Sequence, residues 1–294
     1  MCDHGVTWPL YETREPLCKP SIAADCARLS CGQRISRIEH AKTAMCTLVI
    51  LCRPGHDWPV LVAANRDEML DRNWSAPARH WPDRPDVVAG RDELAGGSWL
   101  GVNDHGVLAG ILNRKGSLGP SDGKRSRGEL VLEALDHCDA SAAAEALMAL
   151  DSDAYRPFNL VLADNSGAFW LRHDDTATIC CEAIPAGFSM FTAYDMNSPE
   201  SPRVRRHLPR FESAQVPDPE RGDWQVWENI LASQVNCEND SDAEAAMCVA
   251  TPLGFGTVNA SLLALPSPSS PPRRPLWRFS PGPPYENSFS VIET

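Results

Sequence analysis

The sequence predicts an α+β fold in which helices pack on stacked antiparallel sheets. Apolar runs of strand length occur in consecutive groups, and helix-like segments occur in pairs between those groups. This grouping is typical of antiparallel sheets, whereas an α/β fold would alternate one strand with one helix. The sequence contains neither a GxGxxG nor a Walker A motif, so it gives no support to a nucleotide-binding loop.

Four apolar segments in the first part of this pattern are predicted strands, at residues 46–52, 58–64, 99–103 and 107–113. The first two are joined by residues 53–57 (Arg-Pro-Gly-His-Asp), a turn-rich connection of hairpin length, so we expect them to be antiparallel neighbours. Residues 71–96 are rich in Trp, Pro and Arg, and residues 113–128 are rich in Gly, Ser, Lys and Arg. Both of these segments are predicted to be loops.

Four helices are predicted. Three have the start signals Ser126, Pro202 and Asp223, and the remaining one comprises residues 141–150, which have high helix propensity. Ser126 with Glu129 three residues later forms a capping box, and the helix that starts at Pro202 is predicted to end near His207. Three arginines of that helix are predicted to lie on a solvated face, namely Arg203, Arg205 and Arg206. The remaining predicted strands are residues 158–164, 167–172, 177–184, 188–194, 257–265 and 276–279.

Composition limits the functional classes. The chain has 294 residues, of which 43% are hydrophobic, which is enough for a sizeable core. The formal charge of −12 argues against a nucleic-acid partner, and no apolar stretch of about 18 residues predicts a transmembrane segment. The eleven cysteines are odd in number and include no C-x-x-C pair. We therefore predict reduced thiols in the cytoplasm, with no metal site and no cofactor.

Residues 1–45 differ in character from the rest of the chain. They contain four of the eleven cysteines and show little strand or helix periodicity. Three interpretations remain open: a start site placed too early, a propeptide removed before Cys46, or a tail that is retained. We predict that residues 46–294 form the domain and that Cys46 is the first residue of the mature protein.

Cys46 follows Met45, and a leading Met is removed when the next residue is as small as Cys. If translation starts at Met45, Cys46 carries both a thiol and a free α-amine. That amine, with a pKa of about 7.7–8.0, can accept the thiol proton without help from a histidine. A working nucleophile of this kind is expected to have a thiol pKa below about 8.5. The alternative is that Cys46 is an ordinary buried thiol.

Further motifs follow Cys46 in order. They are Asn65-Arg66-Asp67-Glu68, the Gly-Gly-Ser-Trp-Leu-Gly sequence at 96–101, Gly-Ile-Leu-Asn at 110–113, Arg-Ser-Arg-Gly-Glu at 125–129 and Phe-Asn-Leu-Val-Leu-Ala-Asp at 158–164. This ordered set resembles the NRDE family of transport and Golgi organisation protein 2-like proteins, which is related to the N-terminal-nucleophile hydrolases. The resemblance runs from Cys46 to the C-terminus and implies an αββα four-layer sandwich.

The resemblance also implies a site. Choloylglycine-hydrolase-like amidases begin at a Cys and have an Arg and an Asp at the end of the second strand. By that likeness the candidate catalytic residues are Cys46, Arg66, Asp67, Asn113 and Asn259. Asn113 is expected to donate a hydrogen bond to an oxyanion, although it could equally cap a turn. The candidate substrate-binding residues are Asn65, Trp99, Asp195 and Asn197.

Two functional hypotheses follow. The first is a cytoplasmic N-terminal cysteine amidohydrolase that cleaves a non-peptide C–N amide bond of a small molecule, so the expected partner is a small-molecule amide or a hydrophobic ligand. The second is a non-catalytic NRDE-family protein that acts in Golgi organisation, secretory transport, or haem or lipid handling.

Overall fold

A computed structural model describes residues 46–234, 244–252, 254–268 and 273–294. The predicted extension at residues 1–45 lies outside the described residues. In chain order the strands are β1 (Thr47–Cys52), β2 (Val60–Met69), β3 (Trp74–Ala78), β4 (Val87–Asp92), β5 (Leu100–Asn103), β6 (Leu108–Asn113), β7 (Phe158–Ala163), β8 (Ala168–His173), β9 (Cys180–Ala183), β10 (Gly187–Phe191), β11 (Phe255–Leu265), β12 (Leu276–Ser280) and β13 (Ser290–Ile292). The α-helices are α1 (Gly128–Leu135), α2 (Ala140–Met148), α3 (Pro202–Ser213) and α4 (Gln225–Leu231).

The strands form two antiparallel sheets. The first has the order β10-β1-β2-β11-β12-β13, and the second has the order β3-β4-β5-β6-β7-β8-β9. Strands β1 and β2 pair as the predicted hairpin, with Thr47 opposite Asn65 and Cys52 opposite Val60. Strand β1 is buried along its whole length, which explains why its sequence is continuously apolar rather than alternating.

Three apolar clusters define four layers. One cluster lies between the sheets and includes Ile50, Val62 and Leu263. A second joins α1 and α2 to the outer side of the second sheet. A third joins α3 and α4 to the outer side of the first sheet, where Trp227 and Leu61 are fully buried. The order is therefore helices, sheet, sheet, helices, as the resemblance implied.

Residues 71–96, predicted as a loop, contain strands β3 and β4, so that prediction is wrong. Strand β3 is the edge of the second sheet and contains Pro77, and its pairing with β4 shifts register between Ser75 and Ala78. A proline is tolerated at an edge strand with an irregular register, because no inner neighbour needs its missing N–H. Strand β13 at the C-terminus was also not predicted.

Two predicted helix starts need correction. Helix α1 has Arg127 at its N-cap without a side-chain cap, and Ser126 Oγ accepts only the Gly128 N–H, at 3.3 Å. Helix α4 has Trp224 rather than Asp223 at its N-cap. Helix α3 begins as predicted, with Ser201 Oγ accepting the Val204 N–H, but continues past His207 to Ser213.

Among the described residues, we find no helix long and apolar enough to cross a membrane.

Candidate active site

Cys46 directly precedes β1, one residue beyond the Thr47–Asn65 pair of the central hairpin. Its side chain packs against the apolar cluster between the sheets and remains partly exposed. The backbone N–H of Asp67 points to Cys46 Sγ at an N···S distance of 3.4 Å. The hairpin register thus brings the end of β2 to the thiol.

Strand alternation divides the Asn65–Glu68 tetrapeptide between the two faces of the first sheet. Arg66 lines the pocket between the sheets, and the Glu68 carboxylate lies 3.7 Å from its guanidinium on the same face. Asn65 and Asp67 face α3 and α4. The Asn65 side chain donates to the backbone carbonyls of Leu231 and Met247, at 3.0 and 2.9 Å. The motif therefore joins the nucleophile side of the sheet to its helical layer.

Arg66 is almost fully buried, with 6% of its surface exposed. Its guanidinium carbon lies 4.2 Å from the centroid of the Trp99 ring, in cation–π geometry. Nη2 lies 3.5 Å from the Asp92 carboxylate, whereas Nη1 has no hydrogen-bond partner. This cation is held between the sheets with one donor group still available.

Asp67 contacts the thiol through its backbone, while its carboxylate lies on the opposite face of the sheet. That carboxylate pairs with Arg203 Nη1 at 3.0 Å and accepts a hydrogen bond from Thr257 Oγ1 at 2.6 Å. Arg203 also donates to Thr47 Oγ1, at 2.7 Å. Burial raises the pKa of Asp67, and the charge of Arg203 and the Thr257 hydrogen bond oppose that rise.

Arg203 is buried, so the prediction that it lies on a solvated helix face is wrong. Its neighbours Arg205 and Arg206 are exposed, as predicted. The difference arises because α3 rests on the first sheet, and the side of the helix that carries Arg203 faces Asp67 there.

A β-bulge sets the position of Asn259. Thr257 pairs with Asp67, but Asn259 pairs with Arg66, so Val258 is an extra residue in β11. Thr257 consequently faces the helices, and Asn259 faces the pocket beside Arg66. The Asn259 amide nitrogen is buried and has no hydrogen-bond partner.

The pocket is narrow, with a cavity volume of about 20 Å³, which is roughly the space of one water molecule. Five of the predicted site residues border it, namely Cys46, Asn65, Arg66, Trp99 and Asn259, although the Asn65 side chain itself faces the helical layer. Its other walls are mainly apolar and comprise Thr47, Leu48, Ala64, Leu100, Ile111, Leu112 and Ser261. Sequence patterns did not identify Ser261, Thr257 and Arg203 as residues of this site. For the first two, the available signal was a polar residue within the long apolar segment of β11.

Four predicted site residues do not line this pocket: Asp67, described above, and Asn113, Asp195 and Asn197. Asn113 ends β6, opposite Phe158. Asp195 forms ion pairs with Arg114 at 2.7 Å and with Arg172 at 2.9 Å. Asn197 has a left-handed φ of 57°, and its side-chain oxygen accepts the Met190 N–H at 2.7 Å, which closes the turn after β10.

Burial raises the pKa of the Cys46 thiol to about 12, and the nearby Asp67 carboxylate contributes to the rise, while Arg66 opposes it. This value belongs to the chain in which the Cys46 nitrogen is bonded to Met45, so the pKa below 8.5 expected for an N-terminal Cys46 stays a prediction. At neutral pH this thiol is protonated, so attack on a substrate requires a base that removes its proton. Within the described ranges, no three His, Cys, Asp or Glu side chains come together as a metal site.

Comparison with known proteins identifies relatives of the chain. The family model described as "Transport and Golgi organisation 2" matches residues 45–241. The human Transport and Golgi organization protein 2 homolog is 35% identical over 114 residues, which cover 37% of this chain and 40% of the relative. The Mus musculus homolog is 33% identical over 110 residues, covering 36% and 39%. The matched region thus spans about two fifths of these relatives.

Solved structures share the fold. Two variant structures of the conjugated bile acid hydrolase from Clostridium perfringens superpose with TM-scores of 0.51 and 0.50, at 12% and 13% identity. They cover 85% and 84% of this chain, and in each case 92% of the hydrolase chain is matched. Because the identity is this low, the superposition is evidence for the fold alone. It confirms the predicted αββα sandwich.

Proposed function

Because the chain belongs to the transport and Golgi organisation 2 (NRDE) family, with the fold of an N-terminal-nucleophile hydrolase, we propose that it is a cysteine amidohydrolase. In this proposal it cleaves a non-peptide C–N amide bond of a small molecule. One observation supports it above others: a thiol, a guanidinium N–H and an amide N–H share one pocket, and both N–H donors lack partners. A buried donor without a partner costs roughly 1–3 kcal/mol, so its presence in a pocket favours a ligand that supplies the acceptor.

The proposed reaction begins when Cys46 is the first residue of the chain. Its α-amine accepts the thiol proton, and the thiolate attacks the amide carbonyl carbon to give a tetrahedral intermediate. Asn259 Nδ2 and Arg66 Nη1 are the proposed donors to the oxyanion. The α-ammonium then protonates the leaving amine, and a thioester to Cys46 remains. Water, deprotonated by the same α-amine, hydrolyses the thioester and releases the acid.

Because the thiol pKa is raised, this mechanism requires a base close to the Cys46 sulfur. While Cys46 is bonded to Met45, the thiol is protonated and its own nitrogen is an amide that cannot act as a base. Release of residue 46 supplies the base and adds a partial positive charge beside the sulfur. We therefore propose that residues 46–294 are the active domain and that removal of residues 1–45, or a start at Met45, activates it.

The proposed compartment is the cytoplasm. All six cysteines in the described ranges are free thiols, and a reducing compartment keeps a nucleophilic thiol from oxidation.

Comparison of two forms of the protein tests the proposal. One is the full 294-residue chain, and the other is translated from Met45, with its first residue verified by intact mass. We expect a panel of small amides to be cleaved only by the form that begins at Cys46. Cys46→Ser should abolish cleavage and leave the fold intact, whereas Cys138→Ser, at an exposed thiol, should have no effect.

The non-catalytic alternative predicts a different result. If neither form cleaves an amide, and Cys46→Ser preserves the cellular role of the protein in Golgi organisation, secretory transport, or haem or lipid handling, the amidohydrolase proposal is rejected.

A further inference from the structure

Two carboxylates approach the buried guanidinium of Arg66. Asp92 Oδ2 and Glu68 Oε2 lie 3.5 and 3.7 Å from the same nitrogen, Nη2. A second arginine shares both carboxylates, because Arg72 Nε lies 2.8 Å from Asp92 and 3.6 Å from Glu68. The four side-chain charges of this cluster cancel, and Arg66 has two alternative anionic neighbours.

Asp92 is fixed by the turn that follows it. It is the last residue of β4 in the second sheet, and its Oδ1 accepts the backbone N–H groups of Leu94 and Ala95, at 3.0 and 3.1 Å. This turn leads to Trp99, whose ring centroid lies 4.2 Å from the guanidinium carbon of Arg66. Asp92 therefore helps to order both surfaces that Arg66 contacts, its own carboxylate and the Trp99 ring.

Glu68 lies on the other side of the same guanidinium. It is the next to last residue of β2, beside the exposed Met69, and its Oε1 accepts the Met69 N–H at 2.9 Å. A guanidinium drawn to Glu68 moves toward the exposed end of the strand. A guanidinium shared with Asp92 stays against Trp99, in the wall of the pocket.

We infer that Asp92 is a positioning residue of the candidate active site, which holds the Arg66 guanidinium against Trp99 so that its positive charge stays beside Cys46. This inference rests on the proposed amidohydrolase function, in which Arg66 Nη1 donates to the oxyanion. Asp92 itself does not line the pocket, so it acts through Arg66.

Loss of the Asp92 charge changes the balance of the cluster. Arg72 loses its nearest anion, and both guanidinium groups are left with Glu68 alone. Their mutual repulsion and the attraction of Glu68 should then move Arg66 away from the ring and from the thiol.

Iodoacetamide labelling of protein with a verified N-terminal Cys46 tests this inference without turnover. Asp92→Asn removes the charge but keeps an oxygen for the two N–H groups of the turn. If Asp92 acted only through its own negative charge, the substitution would lower the pKa of the thiol and speed labelling. Because Asp92 positions Arg66, we expect labelling to slow about three- to tenfold instead. Equal or faster labelling would overturn the inference.

Matched variants isolate the role of Asp92. Glu68→Gln removes the other carboxylate near Arg66 Nη2 and leaves the guanidinium with Asp92, so labelling should be unchanged or faster. A slower rate in Glu68→Gln would contradict the assignment. Asp136→Asn is the control for a lost carboxylate–arginine contact, because Asp136 lies 2.9 Å from Arg84 Nε at an exposed site, and it should have no effect.

A double-mutant cycle separates positioning from a general structural role. In an Arg66→Ala background, Asp92→Asn should not slow Cys46 labelling further. In amide cleavage, Asp92→Asn should lower kcat about tenfold and keep KM within about twofold, because it displaces a donor that acts in the transition state. The full Asp92→Asn effect in the Arg66→Ala background would overturn the inference.

The two readouts distinguish this inference from the proposed activity. The expected labelling pattern without cleavage of any amide would support the role of Asp92 and reject the amidohydrolase function. Cleavage that Asp92→Asn leaves unchanged, with unchanged labelling, would support the activity and reject the role of Asp92.

Discussion

Thr257 and Asn259 lie two residues apart on β11, yet their side chains occupy opposite faces of the sheet. In a regular strand they would share a face, but the extra residue Val258 shifts the pairing with β2 by one position. Thr257 therefore binds Asp67 on the helical side, and Asn259 stands in the pocket with Arg66. Because of this bulge, Thr257 takes part in a buried hydrogen bond of the core, and Asn259 lies in the candidate site.

This division predicts opposite effects for two variants. Asn259→Leu should change the free energy of unfolding by no more than about 1 kcal/mol, because it replaces an unpartnered buried donor with an apolar group of similar size. It should lower amide cleavage about 10²–10³-fold, as expected for an oxyanion donor. Thr257→Val should cost about 1–3 kcal/mol, because Asp67 and the Val249 N–H both lose a partner. Urea unfolding and kcat measurements test both, and an Asn259→Leu variant with normal kcat would contradict the catalytic role.

The buried Asp67–Arg203 pair should be strongly stabilising relative to either charge alone. Asp67→Asn removes the negative half of the pair and should lower the free energy of unfolding by about 3–5 kcal/mol. Asp104→Asn is the matched control, since the Arg79–Asp104 pair is 2.7 Å long but exposed, and it should cost less than about 1 kcal/mol. Similar losses in the two variants, measured by urea unfolding, would argue against a buried network.

Alkylation of Cys46 should depend on whether its amine is free. In the 294-residue chain, iodoacetamide at pH 7.5 should label Cys46 more slowly than the exposed Cys138, because burial raises the pKa of the Cys46 thiol to about 12. In the chain that begins at Cys46, labelling should become faster than at Cys138, and Arg66→Ala should slow it by removing a nearby positive charge. Peptide mass spectrometry measures both rates. Equal Cys46 rates in the two forms would exclude activation by the α-amine.

His207 should make the protein sensitive to acid. Burial is the main cause that lowers its pKa from 6.5 to about 4, and Arg210, Arg203 and Arg206 add to the effect. The unfolded chain binds this proton more readily, so the stabilising contribution is complete above pH 6.5 and is lost as pH falls toward 4. The free energy of unfolding should fall by about 3 kcal/mol over this pH range because of His207.

Urea unfolding at pH 7.5 and pH 4.5 measures this contribution. His207→Gln should reduce the difference in unfolding free energy between the two pH values, whereas the exposed His105→Gln should leave it unchanged. An unchanged difference in His207→Gln would exclude His207 as the source.

Gly90 provides the space for the Trp99 ring. A Cβ at position 90 would lie 2.3 Å from a Trp99 ring atom, so Gly90→Ala should displace the indole on which Arg66 rests. We expect a loss of about 1–3 kcal/mol from overpacking, together with reduced amide cleavage. At Gly167 the nearest atom to a new Cβ is 3.8 Å away, so Gly167→Ala should be tolerated. Thermal unfolding and kcat/KM of both variants test this, and a normal kcat/KM for Gly90→Ala would show that Trp99 does not shape the site.

Much of the fold was predictable from local patterns. Continuous apolar runs indicated the buried hairpin of β1 and β2, and Pro202 after Ser201 marked the start of α3. Edge strand β3 was missed because its composition is that of a loop, and its pairing with β4 is a long-range property. The predicted capping box of α1 was wrong, because a Ser and a Glu three residues apart do not by themselves produce cap geometry.

The sequence by itself determined the order of strands and helices, the Met45–Cys46 junction and the identity of the motif residues, because these depend on neighbours along the chain. Only the tertiary structure decided which face each polar residue occupies. The bulge at Val258, the docking of Arg203 onto Asp67 and the burial that keeps the Cys46 thiol protonated all arise from contacts between distant segments. Residue type and spacing do not encode these contacts, because a shift of one residue in pairing exchanges the two faces of a strand.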